Sequence, residues 1–156
     1  QLGYRAEAGT WRNIYLTGAQ ELRHGVVQLP PQRLSLDIIR ATPTPMMLDF
    51  AAVRLNPEKA AGKRLVLNIV LTDLNEKHLI TIENDILIHE DGMKDDKADA
   101  TVTMKREDML QTLLAGVPVG LKTTTGAIKI SGKGDAYGEL VSMIDPLTPN
   151  FNVVTP

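Results

Sequence analysis

Three histidines, His24, His78 and His89, are the side chains best suited to bind a metal or move a proton near neutral pH. They stand far apart in the chain, and no metal-ligand pair with a neighbouring acid is expected. His78 falls in the polar run Asn75-Glu76-Lys77-His78, which reads as a turn, and His89 is followed by Glu90-Asp91. Each reads as a solvated or locally bonded imidazole. The acidic stretch from Glu90 to Asp99 holds Asp91, Asp95, Asp96 and Asp99, but Lys94 and Lys97 interrupt it. It also lacks the closing glutamate of a calcium loop, so a solvated hairpin is expected. Gly132-Lys133-Gly134-Asp135 precedes a helical pattern, yet it has no P-loop partner element, and an aspartate cap repels anions. It reads as a strand-to-helix turn. No serine sits in a nucleophile elbow, and the chain has no cysteine. No catalytic and no metal-ligating residue is assigned.

The unusual chemistry is apolar. Only 4% of residues are aromatic, while six are methionine: Met46, Met47, Met93, Met104, Met109 and Met143. Methionine is flexible and polarizable, and surfaces that adapt to variable apolar partners over-use it. Met46 and Met47 open one helical pattern, and Met104 and Met109 straddle a strand-to-helix junction. The small apolar run Ala115-Gly116-Val117-Pro118-Val119-Gly120-Leu121 follows. Two readings stand: an ordinary packed core, or a cavity for an alkyl chain lined by Met46, Met47, Phe50, Met104, Met109, Leu113, Val117 and Leu121.

These positions need a frame to hold them. At 156 residues the chain suits one domain of ordinary size. With 43% apolar and 23% charged residues it has a globular composition. Its charge, 17 − 19 = −2 with signs interspersed, argues against nucleic-acid binding, which needs a basic face. The apolar run from Leu65 to Leu71 is far shorter than the roughly 18–20 residues that span a bilayer, so no transmembrane segment is expected. Residues 1–8 lack the pattern of a signal peptide, and the start reads as that of a processed piece with any targeting signal upstream.

From Thr10 to Arg23, the residues Trp11, Ile14, Tyr15, Ala19 and Leu22 recur at helical spacing, with Gly25 as the stop. Residues 26–31 (VVQLPP) read as an extended linker. Beyond it, Leu34, Ile38 and Ile39 suggest a short helix. Thr44-Pro45 then starts another, with the hydroxyl as cap, and Asn56-Pro57 stops it. Strands are expected over 64–72, 79–83, 86–90 and 100–104, with a tight Asn84-Asp85 turn as an antiparallel meander. The period then changes to that of a helix over 106–115, carrying Glu107 and Asp108 in its first turn and closed by Gly116. A fifth strand over 127–131 and a last helix capped by Asp135 complete an α+β pattern.

Three segments carry a resemblance. They are residues 98–104 (ADATVTM), residues 107–116 (EDMLQTLLAG) and residues 128–132 (IKISG), which together resemble the sterol-carrier-protein fold. Residues 8–23 (AGTWRNIYLTGAQELR), 41–45 (ATPTP) and 52–56 (AVRLN) resemble the C-terminal region of bacterial alkyl sulfatases of the metallo-β-lactamase superfamily. The likeness covers nearly the whole chain. It implies a sterol-carrier-like α+β domain with a five-stranded, mainly antiparallel sheet covered by helices, plus an extra N-terminal helix. It further implies that residues 1–25 are the terminal helix of a preceding dimerisation region, 26–31 a linker and 32–156 the sterol-carrier-like domain. The implied parent is a zinc-dependent alkyl sulfatase, periplasmic or secreted, whose catalytic domain holds the zinc. The family's His-x-His-x-Asp-His motif occurs nowhere here, so no cofactor is assigned to this chain. The implied role is an accessory domain that binds the alkyl chain of amphiphiles such as dodecyl sulfate, beside the parent's catalytic and dimerisation domains. A structural module supporting a homodimer through the N-terminal helix, and a free-standing lipid carrier, are the alternatives.

Overall fold

The computed structural model describes residues 1–28, 36–146 and 150–154. They form two units, one from both chain ends and one from residues 36–146. Leu34 and the linker's prolines lie outside the described residues.

In the first unit, α1 (Leu2–Arg5) meets α2 (Gly9–His24). Gly3 makes the approach possible, because a Cβ there would stand 2.9 Å from a methyl carbon of Leu16. Arg12 closes the bend by donating to the Ala6 carbonyl at 2.8 and 3.2 Å. The C-terminal residues belong to this unit too. The buried Glu21 carboxylate accepts from the backbone N–H of Val153 at 2.7 Å and of Val154 at 3.3 Å. Val154 also packs on Gly18. Trp11, Ile14, Tyr15 and Leu22 remain exposed along α2.

The second unit contains α3 (Leu36–Ala41), α4 (Thr44–Val53) and α5 (Pro57–Ala60), followed by β1 (Leu65–Leu71), β2 (Glu76–Glu83), β3 (Ile86–Asp91) and β4 (Ala100–Met104). After them come α6 (Arg106–Leu113), α7 (Val119–Thr124), β5 (Lys129–Gly132) and α8 (Ala136–Met143). The strand order is β3-β2-β1-β4-β5. Pairing is antiparallel except between β1 and β4, which run parallel. The sheet is therefore mainly antiparallel as expected, but a simple meander ends at β3. Alternation puts Leu65, Leu67, Ile69 and Leu71 on one face with Ile80, Ile82, Ala100, Val102 and Met104. All are buried, in one core with Met47, Leu48 and Ala51 of α4, Met109 and Leu113 of α6, and Tyr137, Leu140 and Met143 of α8. Each such side chain contributes about 1.5–3 kcal/mol by leaving water.

Several local expectations need correction. His78 is not in a turn: β2 begins at Glu76, and His78 is 2% exposed on the face it shares with Ile80 and Ile82. Thr44 does not cap α4; its hydroxyl is buried without a hydrogen-bond partner. α4 ends at Val53, before the expected stop at Asn56, and Asn56 instead caps the next helix, accepting from Glu58 N at 3.0 Å and Lys59 N at 3.1 Å. The apolar run after Gly116 is partly helical as α7, and Asp135 makes no side-chain cap. The Asn84-Asp85 turn is as expected, with φ of 52° and 64°.

Gly132 ends β5 at φ 102°, where a Cβ would lie 2.5 Å from the Asp99 carbonyl oxygen. Gly132→Ala is therefore expected to lower stability by about 2 kcal/mol or more. Urea unfolding measures it, and a loss below about 0.5 kcal/mol would contradict this crowding.

Candidate functional site

Of the eight residues expected to line an alkyl cavity, four share the buried core: Met47, Met104, Met109 and Leu113. Phe50 and Val117 are half-buried, whereas Met46 and Leu121 are 59% and 58% exposed. The spacing of Met46 and Met47 explains their split, since adjacent residues on a helix point about 100° apart. The described surface carries an open cleft of about 560 Å³ lined by residues of α7, β5 and α8, among them Val119, Ile130, Gly138 and Ser142. A second, of about 480 Å³, borders Pro45, Glu76, Lys77, His78 and Asp91. None of the eight residues lines either cleft.

Polar ties set the helices around this core. Arg54, just after α4, donates to the carbonyls of Asp145 at 2.8 Å and Leu113 at 3.4 Å, with its guanidinium 5.5 Å from the centre of the Phe50 ring. Burial holds the Arg54 guanidinium below its ordinary range, opposed by the Asp145 carboxylate. Asp145 itself is held below the usual carboxylate range, first by the hydrogen bond from Lys59 and then by that from Asn56. At the other end of α4, Arg106 donates to the carbonyls of Ile39 and Thr42. Tyr137 and Thr112 exchange a buried hydrogen bond at 2.7 Å that joins α8 to α6, and burial pushes the phenol well above its ordinary value. Lys122 of α7 pairs with Asp108 of α6 at 2.8 Å, with both side chains largely covered.

The histidines of the sheet form an arrangement that sequence reasoning missed. His78 Nε2 lies 3.2 Å from Glu76 Oε2, and its Nδ1 lies 2.7 Å from Asp91 Oδ1. Asp91 Oδ1 is also 3.4 Å from Nδ1 of His89, whose Nε2 is 2.9 Å from Asp49 Oδ1 on α4. The available signal was alternation: His78, Ile80 and Ile82 are two residues apart, which places the imidazole on the core face. Among the described residues, no group of three or more His, Asp or Glu side chains is set to hold a metal ion.

Comparison with known proteins decides the family. Residues 32–156 match the model of the alkyl sulfatase C-terminal family. The chain belongs to that family. It is 44% identical to a linear primary-alkylsulfatase of a Pseudomonas species, over the whole chain and 23% of that protein. The structure of the inverting sec-alkylsulfatase Pisa1, also from Pseudomonas, superposes with a TM-score of 0.80 at 35% identity. That match covers 97% of this chain and 24% of Pisa1. The chain thus spans about a quarter of the length of these alkylsulfatases. A ubiquinone synthesis protein, UbiJ-SCP2, superposes with a TM-score of 0.53 at 13% identity, over 64% of this chain and 90% of its own. That likeness shows the fold alone: the alkyl sulfatase C-terminal domain is built as a sterol-carrier fold.

The Asp145 ties give a pH dependence of known sign. A carboxyl held low in the folded state adds stability above its unfolded range, and that stability is lost as pH falls through the lowered value. Thermal midpoints measured against pH should therefore fall less on acidification in Asp145→Asn than in the unchanged protein. Parallel curves would remove Asp145 from the acid response.

Proposed function

We propose that this chain is the non-catalytic C-terminal domain of a larger alkyl sulfatase, and that it holds the alkyl chain of amphiphiles such as dodecyl sulfate. The observation that carries the proposal is the gathering of Met47, Met104, Met109 and Leu113 into one apolar cluster under α4 and α6. The relatives' names supply the chemistry, since they act on alkyl sulfates. Methionine repacks around a guest at low cost, so a closed cluster of this composition can admit a flexible chain where a rigid aromatic core cannot. Phe50 and Val117, half-buried, would form the way in, and Met46 and Leu121 the rim. The bond-breaking zinc chemistry is assigned to the parent's catalytic domain. The proposed division of the chain is a terminal dimerisation helix (1–25), a linker (26–31) and the binding domain (32–156).

Each buried methylene contributes about 0.8 kcal/mol, so lengthening a guest by four of them, from octyl to dodecyl, is expected to tighten binding about two-hundredfold. Calorimetric titration with monomeric alkyl sulfates tests this, with inorganic sulfate release followed in the same samples. Affinity independent of chain length would sink the binding role, and sustained sulfate release by metal-free protein would sink the non-catalytic one.

A second reading, a module that supports a homodimer, draws on the exposed stripe Trp11, Ile14, Tyr15 and Leu22. Pairing of two copies along this stripe would hide it. Light scattering should then report a dimer for the full chain and a monomer for a version beginning at Val26. Equal monomer masses would eliminate the pairing.

A further inference from the structure

Helix α7 is lightly held. None of its residues is buried, and Val119 is the side chain it packs against the core cluster. The hydroxyls of Thr123 and Thr124 donate to the Gly120 carbonyl at 2.9 and 2.8 Å, and that of Thr125 to the Lys122 carbonyl at 3.1 Å. All three are thus engaged within the segment. The bond from Lys122 to Asp108 of α6 is, among the described residues, the side-chain hydrogen bond that joins α7 to another element. At each end stands a glycine in left-handed backbone, Gly116 at φ 70° and Gly126 at φ 74°. An added Cβ at either meets nothing within 4 Å, so neither is crowded. Such glycines end helices, and they also turn more freely than any other residue.

α7 is also one wall of the larger cleft, through Val119, Gly120 and Thr123, with Ile130 of β5 and Gly138 of α8 among the residues across it. At about 560 Å³ the cleft lies in the range of small-ligand sites. Val119 and Ile130 both pack on the core cluster, so its apolar part lies directly over the core. Most polar side chains on its walls are already paired. Thr123 bonds within α7, Ser142 donates to the Glu139 carbonyl at 2.7 Å, and the Glu139 carboxylate accepts from Lys133 at 2.8 Å. Walls that ask for no hydrogen bond suit an apolar occupant. Gly120 and Gly138 both lie within helices, without a positive φ, and an added Cβ at either meets nothing within 4 Å. Glycine is a poor helix former, so neither conformation nor crowding accounts for it at these two positions. Their bare backbone keeps the cleft open.

We infer that α7 is a lid, hinged at Gly116 and Gly126 and pinned in place by Lys122 on Asp108, and that an alkyl chain reaches the apolar cluster by passing beneath it, between Val119 and Ile130. Swinging about the two glycines lifts Val119 off the core. It also breaks the backbone bonds that cross the hinges. These run from Val117 N–H to the Gln111 carbonyl at 2.9 Å, and from Ala127 N–H and Ile128 N–H to the Lys122 carbonyl at 3.0 and 3.2 Å. Bonds inside the segment, from Thr125 N–H to the Leu121 carbonyl and from Gly126 N–H to that of Thr123, travel with it. Asp108 immediately precedes Met109, so the pin stands one residue from the methionine cluster. The passage of an alkyl chain rests on the proposed function; the lid does not.

Amide hydrogen exchange reads the lid directly. In Lys122→Met and in Asp108→Asn, exchange at Val117, Ala127 and Ile128 is expected to rise about tenfold, while Thr125, Gly126 and the amides of β1 stay as they are. The double variant should exceed neither single one, because both remove the same pin. No rise at the three amides, or an equal rise through all of α7 or in β1, overturns the lid. Gly138→Leu tests the passage, since it favours the helix and fills the cleft. Association rates of monomeric dodecyl maltoside on the immobilised protein should fall about tenfold in Gly138→Leu and rise in Lys122→Met. A rate unmoved in either variant overturns the passage and keeps the lid. Absence of binding to the unchanged protein sinks the proposed function and the passage with it, and the exchange pattern then decides the lid alone.

Discussion

The second unit depends on one crossing of the chain. β4 pairs parallel with β1 although β2 and β3 intervene in sequence, so residues 92–99 must pass from one side of the sheet to the other. A buried asparagine anchors that passage. Asn68, in the middle of β1, accepts from the backbone N–H of Asp95 at 2.9 Å and donates to its carbonyl at 2.8 Å. Its amide imitates a strand neighbour, and its own buried polar atoms are thereby paired. Asp99 then delivers the chain to β4, donating its backbone N–H to the Val66 carbonyl and accepting from Val66 N–H through its carboxylate. The acidic stretch that resembles a loose cation loop is in fact a strap across the sheet, and two of its acids, Asp95 and Asp99, accept from backbone N–H groups.

With β4 placed beside β1, the rest follows by burial. β1 is covered on both faces along most of its length, and its core-facing side chains share one apolar cluster with those of α4, α6 and α8. Gly132 lets β5 come close to the entry of β4, and the parallel pair is thereby flanked by an antiparallel neighbour on each side. The helices are then fixed relative to one another by charged side chains acting on carbonyls. Arg54 joins the ends of α4 and α6 to the residue after α8, and Arg106 stops α3. Guanidinium groups suit this work because their donors fan out in a plane and reach several carbonyls together.

An apolar core rich in methionine and a polar chain of histidines and carboxylates meet at α4. One side of this helix contributes Met47, Leu48 and Ala51 to the core, while Asp49 reaches β3. The two contacts differ in kind. Dispersion and hydration hold the apolar side, whereas a directional hydrogen bond to His89 holds the polar one.

The sequence by itself determined the period of nearly every element, because alternation and helical spacing are local properties. The stripe of α2, the faces of β1 and β4, the Asn84-Asp85 turn and the motifs of the alkyl sulfatase C-terminal family were all legible in it. Tertiary structure alone decided what depends on distant neighbours. It put β4 parallel to β1, brought the C-terminal residues onto Glu21 of α2, and separated the expected cavity residues into buried Met47, Met104, Met109 and Leu113 and exposed Met46 and Leu121. It also brought Asp49 of α4 to His89 of β3, and Glu76 and His78 of β2 to Asp91 of β3, pairs that local pattern does not reveal. Local pattern says which face a side chain takes. Only the pairing of strands and the seating of a helix say what that face will meet.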